Sequence, residues 1–172
     1  MLKFLIAVDG SELSLDAVKH ALRLREQGLA ARFVLANVQE PASLYEMITV
    51  RDPERLVGLT ASAGEHSLQA ARDLFHSAGV DYEFEVASGD PAHTLLDIAE
   101  NYHCNAIIAG ARGKGGLGGA DLGSVAHELM HVSRLPITIV KHTDAQERVL
   151  DQQSQQESGS TDTELQPLIG LA

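Results

Sequence analysis

Cysteine and tryptophan are almost missing from this chain. Its 172 residues contain one cysteine, Cys104, and no tryptophan, and aromatic residues make up 4%. A single cysteine excludes an internal disulfide and suits a reducing compartment, so we expect a cytoplasmic protein. Although His103 is adjacent, neighbours in sequence point in different directions. We therefore expect Cys104 to be a small buried residue rather than a nucleophile.

Long hydrophobic runs and an excess of basic residues are also missing. No apolar run approaches the roughly 18 residues of a membrane-spanning helix. The apolar N-terminal stretch ends at Asp9, so we expect no signal peptide. The formal net charge is −11, with 13 Lys and Arg against 24 Asp and Glu. Nucleic-acid binding needs clustered Lys and Arg. We therefore expect neither a membrane nor a nucleic acid as partner.

The chain divides by composition near residue 142. Residues 143–172 hold six acidic residues and one arginine and are rich in Gln, Ser and Thr. Such a segment buries too little apolar surface to fold alone. We predict one domain over residues 1–142, followed by an acidic, polar and flexible tail over 143–172.

Short apolar runs alternate with helical patterns over the first 142 residues. The apolar runs predict strands near 2–8, 32–38, 82–87, 106–109 and 136–141. The helical patterns lie near 11–27, 59–78, 91–103 and 124–134. Residues 39–58 form a predicted long loop. This alternation predicts an α/β fold: a single doubly wound five-stranded parallel sheet with helices on both faces.

A glycine-rich segment follows the fourth predicted strand. Seven of the fourteen residues from Gly110 to Gly123 are glycine, which lets the backbone approach a ligand closely. The helix that begins near Ser124 adds backbone N–H groups and partial positive charge. Ser124 could cap that helix or bond a phosphate oxygen. The segment therefore indicates a site for an anionic ligand, most simply a nucleotide.

The spacing G-x2-G-x9-G-S over residues 110–124 resembles that of universal stress proteins of the ATP-binding type. The resemblance covers about residues 1–142 and includes the Asp-Gly-Ser turn at Asp9, residues 36–38, residues 89–91 and the last strand. It implies the strand order 3-2-1-4-5. The ends of strands 1 and 4, at Asp9 and Gly110, then meet at the topological switch point, where open α/β sheets bind ligands.

The resemblance also implies a ligand, ATP or AMP/ADP, with Mg²⁺ accompanying a triphosphate. Asp9 would hold the ribose or the metal, although its alternative is a local turn or helix cap. Val38 would bind adenine through its backbone, and Arg112, unless it is only a solvated surface residue, would bond phosphate. The nucleotide-binding residues that we predict are Ala7, Val8, Asp9, Val38, Ala109, Gly110, Arg112, Gly113, Gly123, Ser124 and Val125.

Two further motifs point to other functions, and we reject both. Residues 113–118 satisfy G-x-G-x-x-G, but they follow the fourth strand rather than the first, and no acid lies 20 residues later. Residues 127–131 satisfy the zinc-protease pattern H-E-x-x-H. On a helical wheel the face of Val125, Ala126, Leu129 and Met130 is apolar, so the two histidines point to solvent. Adventitious surface metal binding is the better expectation there.

Several residues depart from the family pattern. Ala111 stands where the family usually has Ser or Thr, Asn105 where it often has Asp, and Asp121 adds negative charge near the expected phosphates. The glycine-rich spacer 114–122 also costs conformational entropy when it becomes ordered. These departures favour weaker nucleotide binding or a loop that is ordered only by its ligand.

The sequence favours a stress-response switch or sensor that binds an adenine nucleotide. No general base stands beside a nucleophile, so we expect no enzyme, or at most a slow ATPase. The last strand, Pro136 to Lys141, is an apolar edge, and the family commonly pairs there, so we expect a homodimer. The alternative is a dimeric protein that binds no nucleotide and acts through protein partners.

Overall fold

The computed structural model describes residues 1–40, 53–113 and 122–142, with the backbone alone for 53–61. The strands are β1 (Leu2–Ala7), β2 (Ala31–Gln39), β3 (Tyr82–Ser88), β4 (Ala106–Gly110) and β5 (Ile137–Val140). The helices are α1 (Glu12–Glu26), α2 (Pro53–Ser77), α3 (Pro91–Asn101) and α4 (Ser124–Val132). The strands thus alternate with helices, as the apolar pattern predicts.

All five strands form one parallel sheet in the order β3-β2-β1-β4-β5. Ala7 pairs with Ala36 of β2 on one side and with Ala109 of β4 on the other. The chain leaves β1 toward β2 and later returns to β1's other side through β4. This reversal creates the switch point between β1 and β4, and it confirms the predicted strand order.

Each face of the sheet is covered by two helices. Helices α1 and α2 cover one face, where Ile6, Phe33 and Phe75 are almost fully buried. Helices α3 and α4 cover the other, where Leu5, Ile107 and Leu129 are buried. Alternate residues of the central strands therefore enter opposite cores, as expected for a parallel sheet buried on both sides. The predicted doubly wound architecture is confirmed.

Helix α2 begins earlier than the sequence pattern predicts. It starts at Pro53 rather than near residue 59, so the predicted loop over 39–58 is wrong for residues 53–58. Proline is favoured in the first helical turn because its missing N–H has no partner there and its φ is already helical. The sequence pattern places Pro53 in a loop. Pro91, at the start of α3, shows that a proline in this chain can also mark the first turn of a helix.

Three predicted features lie outside the described residues: the loop over 41–52, the glycine-rich spacer over 114–121, and the tail over 143–172. Lys114 and Asp121 belong to the second of these. Residues 1–142 form one compact unit. Among the described residues, no helix is long and apolar enough to cross a membrane.

Candidate functional site

A cavity of about 840 Å³ opens where β1, β2 and β4 end. Its size falls within the range of small-molecule and cofactor sites. Helices α3 and α4 begin at its rim, and α1 contributes Ser14. It therefore occupies the carboxyl edge of the sheet on both sides of β1, which is where doubly wound folds bind ligands.

The cavity is lined by all eleven residues that the sequence analysis selects: Ala7, Val8, Asp9, Val38, Ala109, Gly110, Arg112, Gly113, Gly123, Ser124 and Val125. Nine further residues line it that the sequence motifs do not indicate: Ser14, Ala36, Asn37, Gln39, Glu40, Pro91, Leu95, Leu122 and Ala126. Most of these lie on β2 or α3, far in sequence from the glycine motif. Their contribution depends on the sheet order rather than on any local pattern.

Asp9 lies two residues beyond the end of β1 and closes the turn into α1. Its Oδ1 accepts a hydrogen bond from the backbone N–H of Ser11 at 2.9 Å and from the Ser11 hydroxyl at 2.6 Å. Ser11 is the N-cap of α1, and its Oγ accepts from the Ser14 N–H. Asp9 therefore forms the local turn that is the alternative to a ligand contact, and its side chain also borders the cavity.

Asn37 fixes the end of β1 from the neighbouring strand. Its side chain is 1% exposed, and its Nδ2 donates to the carbonyl oxygen of Val8 at 2.7 Å. Its Oδ1 accepts from Nε2 of Gln39. A buried carbonyl at the end of a strand needs such a donor. Asn37 thus positions the backbone that leads into Asp9, and the only sequence signal for it is a polar residue inside an apolar strand.

The spaced glycines allow two backbone segments to approach each other. A Cβ at Gly113 would overlap the carboxylate of Asp9, so only glycine leaves room for that side chain. A Cβ at Gly123 would lie 3.3 Å from the Cα of Arg112. The Gly123 N–H donates to the carbonyl oxygen of Ala111 at 2.8 Å. Close packing at the cavity wall therefore disfavours any side chain at 113, whereas a side chain at 123 would require only a small shift of the neighbouring backbone.

Helix α4 points its N-terminus at the cavity. Its N-cap is Gly123, so the prediction that Ser124 could cap this helix is wrong, since Ser124 is already its first residue. A glycine cap has no side chain to accept from the first N–H groups of the helix. Ser124, Val125 and Ala126 line the cavity with that first turn. This arrangement suits an anion.

Arg112 is the one cation among the described residues that line the cavity, alongside two carboxylates, Asp9 and Glu40. In the described part of the chain, no carboxylate lies within ion-pair distance of Arg112. Among the described residues, its guanidinium has no carboxylate partner that a ligand would have to displace. Because carboxylates outnumber cations in the described lining, an anion would depend on Arg112 and backbone N–H groups rather than on a positive field.

Ala111 does not line the cavity. It is 9% exposed, and its N–H donates to the carbonyl oxygen of Val140 at 2.7 Å. Its carbonyl accepts from Gly123, so its backbone connects β5 to the start of α4. Its small side chain sits in the protein interior. The loss of a hydroxyl at this position therefore weighs less against ligand binding than the sequence alone suggests.

Of the two rejected motifs, the structure describes all of residues 127–131 but only Gly113 of residues 113–118. His127 and His131 are exposed, as the helical wheel predicts, and no group of three potential metal ligands exists among the described residues. Met130, however, is 51% exposed, so its placement on the apolar face is wrong. The nine-residue helix packs through Ala126 and Leu129, and Met130 lies one 100° step beyond them.

Cys104 is buried, with 6% of its surface exposed. Burial raises the pKa of its thiol to about 11, so almost none of it is thiolate at neutral pH. Reactive cysteines need a lowered thiol pKa and access to solvent. Cys104 is thus a core residue, as its sequence context predicts.

Comparisons with known proteins agree with this fold. A profile described as the universal stress protein family matches residues 1–141. The universal stress protein YxiE of Bacillus subtilis is 31% identical over 145 residues, covering 81% of this chain and 98% of its own. The universal stress protein MJ0531 of Methanocaldococcus jannaschii is 28% identical over 139 residues, covering 81% of each chain.

Solved structures share the architecture. The hypothetical protein MJ0577 superposes with a TM-score of 0.67 at 25% identity, covering 83% of this chain and 96% of its own. A universal stress protein in complex with cAMP superposes with a TM-score of 0.55 at 24% identity, covering 81% of this chain and 95% of its own. A family protein from Arabidopsis thaliana with AMP bound gives 0.61 at 18% identity, covering 85% and 95%. The chain described here belongs to the universal stress protein family.

Proposed function

We propose that this protein binds ATP or another adenine nucleotide in the cavity between β1, β2 and β4, and that it acts as a nucleotide-responsive switch in a cytoplasmic stress response. One observation carries the proposal. The eleven residues chosen from the sequence for nucleotide binding come from four separate segments, and all of them line one cavity. Unrelated surface residues would not converge in this way.

The two ends of the cavity suit the two ends of a nucleotide. Gly113, Gly123 and the first turn of α4 offer backbone N–H groups, and Arg112 offers a guanidinium, so phosphates would lie there. Val38 would contact adenine through its backbone, beside the apolar side chain of Leu95. Because β1 lies between β2 and β4, Asp9 stands between these ends, where a ribose would be.

Mg²⁺ would enter with a triphosphate rather than through a protein cage. Carboxylate oxygen is the ligand type that Mg²⁺ prefers, and Asp9 supplies it beside Gly113, one of the residues proposed to hold the phosphates. Its carboxylate already accepts two hydrogen bonds from Ser11, which hold it in place. Asp9 is therefore the residue that we propose as a metal contact.

Proteins with this fold support an adenine nucleotide as the ligand class. One universal stress protein structure contains cAMP, and the Arabidopsis thaliana protein contains AMP. Their sequence identities are 24% and 18%, so the local geometry of this cavity must carry the assignment.

We propose binding rather than efficient hydrolysis. The described lining of the cavity contains no histidine, lysine or cysteine. Of its two carboxylates, Asp9 is engaged with Ser11, and Glu40 follows β2, at the end proposed for adenine. A general base must be able to reach and accept a proton from the attacking water. We therefore expect ATP turnover far below the ~1 s⁻¹ that marks the slow end of ordinary enzymes.

We also propose a homodimer that forms through β5. This strand pairs with β4 on one side and ends the sheet on the other. Met130 and Val132 of the adjacent helix α4 are 51% and 36% exposed. An apolar edge strand with exposed hydrophobic residues nearby favours pairing with a second copy.

The function is tested by calorimetric titration of ATP with Mg²⁺, ADP, AMP and cAMP into the full chain. We expect one saturable site per chain. In Gly113→Ala the added methyl group overlaps the Asp9 carboxylate, so affinity should fall at least tenfold. The backbone of Gly113 is not left-handed, so this substitution changes space rather than backbone conformation.

Gly28→Ala is the matched control. Gly28 follows α1 with a φ of +100°, has no atom within 4 Å of an added Cβ, and does not line the cavity. This variant should lose stability through backbone strain but keep its affinity. Absence of binding at millimolar nucleotide by the folded protein would contradict the proposal. It would favour the alternative of a dimeric protein that works through protein partners.

A further inference from the structure

Two histidines on α4 face each other across one helical turn. His127 and His131 are four residues apart, and both are exposed. Their Nε2 atoms lie 3.3 Å apart, and their ring centroids are 4.5 Å apart. Residues at i and i+4 share one face of a helix, which brings the two rings together. The cavity described above does not include either residue.

The separation of the two nitrogens matches that of a chelate. Zinc–imidazole bonds are about 2.0–2.1 Å long, so two of them meeting near the tetrahedral angle place their nitrogens about 3.3 Å apart. In the absence of a metal, the two Nε2 atoms are within hydrogen-bond distance, and either ring can be the donor. Two neutral rings with their protons on Nδ1 would instead direct both Nε2 lone pairs at a shared ion.

We propose that His127 and His131 form a two-histidine chelating site for a divalent transition-metal ion of the Zn²⁺ or Cu²⁺ type. Imidazole suits these ions, whereas Mg²⁺ and Ca²⁺ prefer oxygen ligands. Because the described residues contain no group of three potential ligands, water completes the coordination. The site therefore differs from a catalytic zinc centre, which takes three protein ligands.

Glu128 of the H-E-x-x-H pattern does not join this site. The described residues contain no group of three potential metal ligands, so Glu128 does not complete a ligand set with the two histidines.

The chelate would stabilise α4 itself. Its two ligands span a full helical turn, and the backbone N–H of His127 donates to the carbonyl oxygen of the N-cap Gly123 at 2.9 Å. A metal that joins positions 127 and 131 favours the helical conformation of this segment over the unfolded chain. The proposal is independent of nucleotide binding, and its test uses no nucleotide.

The test is calorimetric titration of Zn²⁺, and separately Cu²⁺, into the tag-free, metal-stripped full chain. We expect one ion per chain and a rise in melting temperature with either ion, and no comparable effect with Mg²⁺. His127→Ala and His131→Ala should each weaken binding at least tenfold. His66→Ala, which removes an exposed histidine of α2, is the matched control and should bind as the parent does.

A second variant keeps the histidine count constant. Combining His131→Ala with Val132→His moves the second ligand to i+5, off the shared face, and should lose binding as fully as either single variant. Circular dichroism checks that each variant is folded. Retained affinity in the shifted variant, or in His127→Ala, would overturn the proposal, as would no binding of either ion by the parent.

Discussion

Asp9 links two parts of the site that are distant in sequence. Its Oδ1 holds the turn into α1 through Ser11, while its carboxylate lies against Gly113 of the glycine motif. A residue that closes a local turn in this way has little freedom to move. The turn role and the proposed ligand role therefore reinforce each other, because the first fixes the orientation that the second requires.

Ser11→Ala tests this coupling. The substitution removes the hydroxyl that donates to Asp9 and that accepts from the Ser14 N–H, although the backbone donor to Asp9 remains. We expect a loss of about 1 kcal/mol in unfolding free energy, typical of a lost N-cap. Nucleotide affinity should fall several-fold, because Asp9 is held less firmly. Urea unfolding and calorimetry measure the two effects.

Ser133→Ala is the control for Ser11→Ala. Its hydroxyl also bonds backbone groups, those of Leu135, but Ser133 does not line the cavity. It should lower stability without changing affinity. Equal affinity in both variants would show that the hydroxyl of Ser11 matters for the helix alone.

Asn37→Leu tests the residue that positions β1. Leucine has a similar size but leaves the buried carbonyl of Val8 without its side-chain donor. We expect a loss of about 1–3 kcal/mol in unfolding free energy, together with weaker nucleotide binding. In Gln39→Ala the Asn37–Val8 bond remains, so the loss of stability should be smaller. An equal loss in the two variants would contradict the positioning role.

At the scale of elements, the alternation of apolar runs and helical patterns predicts every strand and helix that the structure describes. The ends of the helices are less predictable, because they depend on caps. Pro53 starts α2 six residues before the periodic pattern becomes clear, and Gly123 rather than Ser124 caps α4. The order of the strands follows from the family resemblance, since periodicity carries no information on which strands are neighbours.

In the candidate site, too, some residues are predicted by local sequence patterns and others are not. The motif G-x2-G-x9-G-S and the Asp-Gly-Ser turn lead to residues at the ends of β1 and β4, because each is a local pattern with a physical meaning. Asn37 has no such pattern. Its role depends on the register that places β2 beside β1, and a single sequence does not reveal that register.

The cap of α3 gives a prediction at the scale of one element. Asp90 accepts hydrogen bonds from the backbone N–H of His93 at 3.0 Å and from its ring Nδ1 at 2.8 Å. The side-chain bond raises the pKa of His93 above its ordinary 6.5, and the backbone bond lowers the pKa of Asp90 below its ordinary 3.8. Because its pKa is raised in the folded state, His93 stabilises the fold below about pH 6.5. This contribution is lost as pH rises through its folded pKa.

Asp90, whose carboxyl pKa is lowered, has the opposite pH dependence. Its contribution to folding stability is present above about pH 3.8 and is lost as pH falls through its folded pKa. We expect an NMR titration of the His93 ring to give a midpoint above 6.5. Asp90→Asn keeps a favourable cap while removing the charge, so it should move the midpoint down. An unchanged midpoint in this variant would show that the Asp90–His93 bond does not form in solution.

At the scale of the whole molecule, the two edges of the sheet differ. Edge strand β3 carries Glu83 and Glu85, and charges on an edge discourage pairing with another sheet. Edge strand β5 has the sequence Ile-Thr-Ile-Val and carries no charge. With a net charge of −11, two copies also repel each other, so association needs a specific surface. The edge at β5 is where we place it.

Ile139→Pro tests whether the proposed dimer depends on the backbone of β5 rather than on its side chains. The carbonyl oxygens of Pro136 and Val140 accept from the N–H groups of Ile107 and Ala111, on the β4 side. The backbone groups of Ile139, one residue out of phase, therefore face the open edge. Proline at 139 removes the outward N–H, whereas Ile139→Ala keeps it and loses a similar apolar contact. In light scattering after size-exclusion chromatography, we expect a dimer for the parent and for Ile139→Ala, and a monomer for Ile139→Pro. A dimeric proline variant would place the interface elsewhere, and a monomeric parent would remove it altogether.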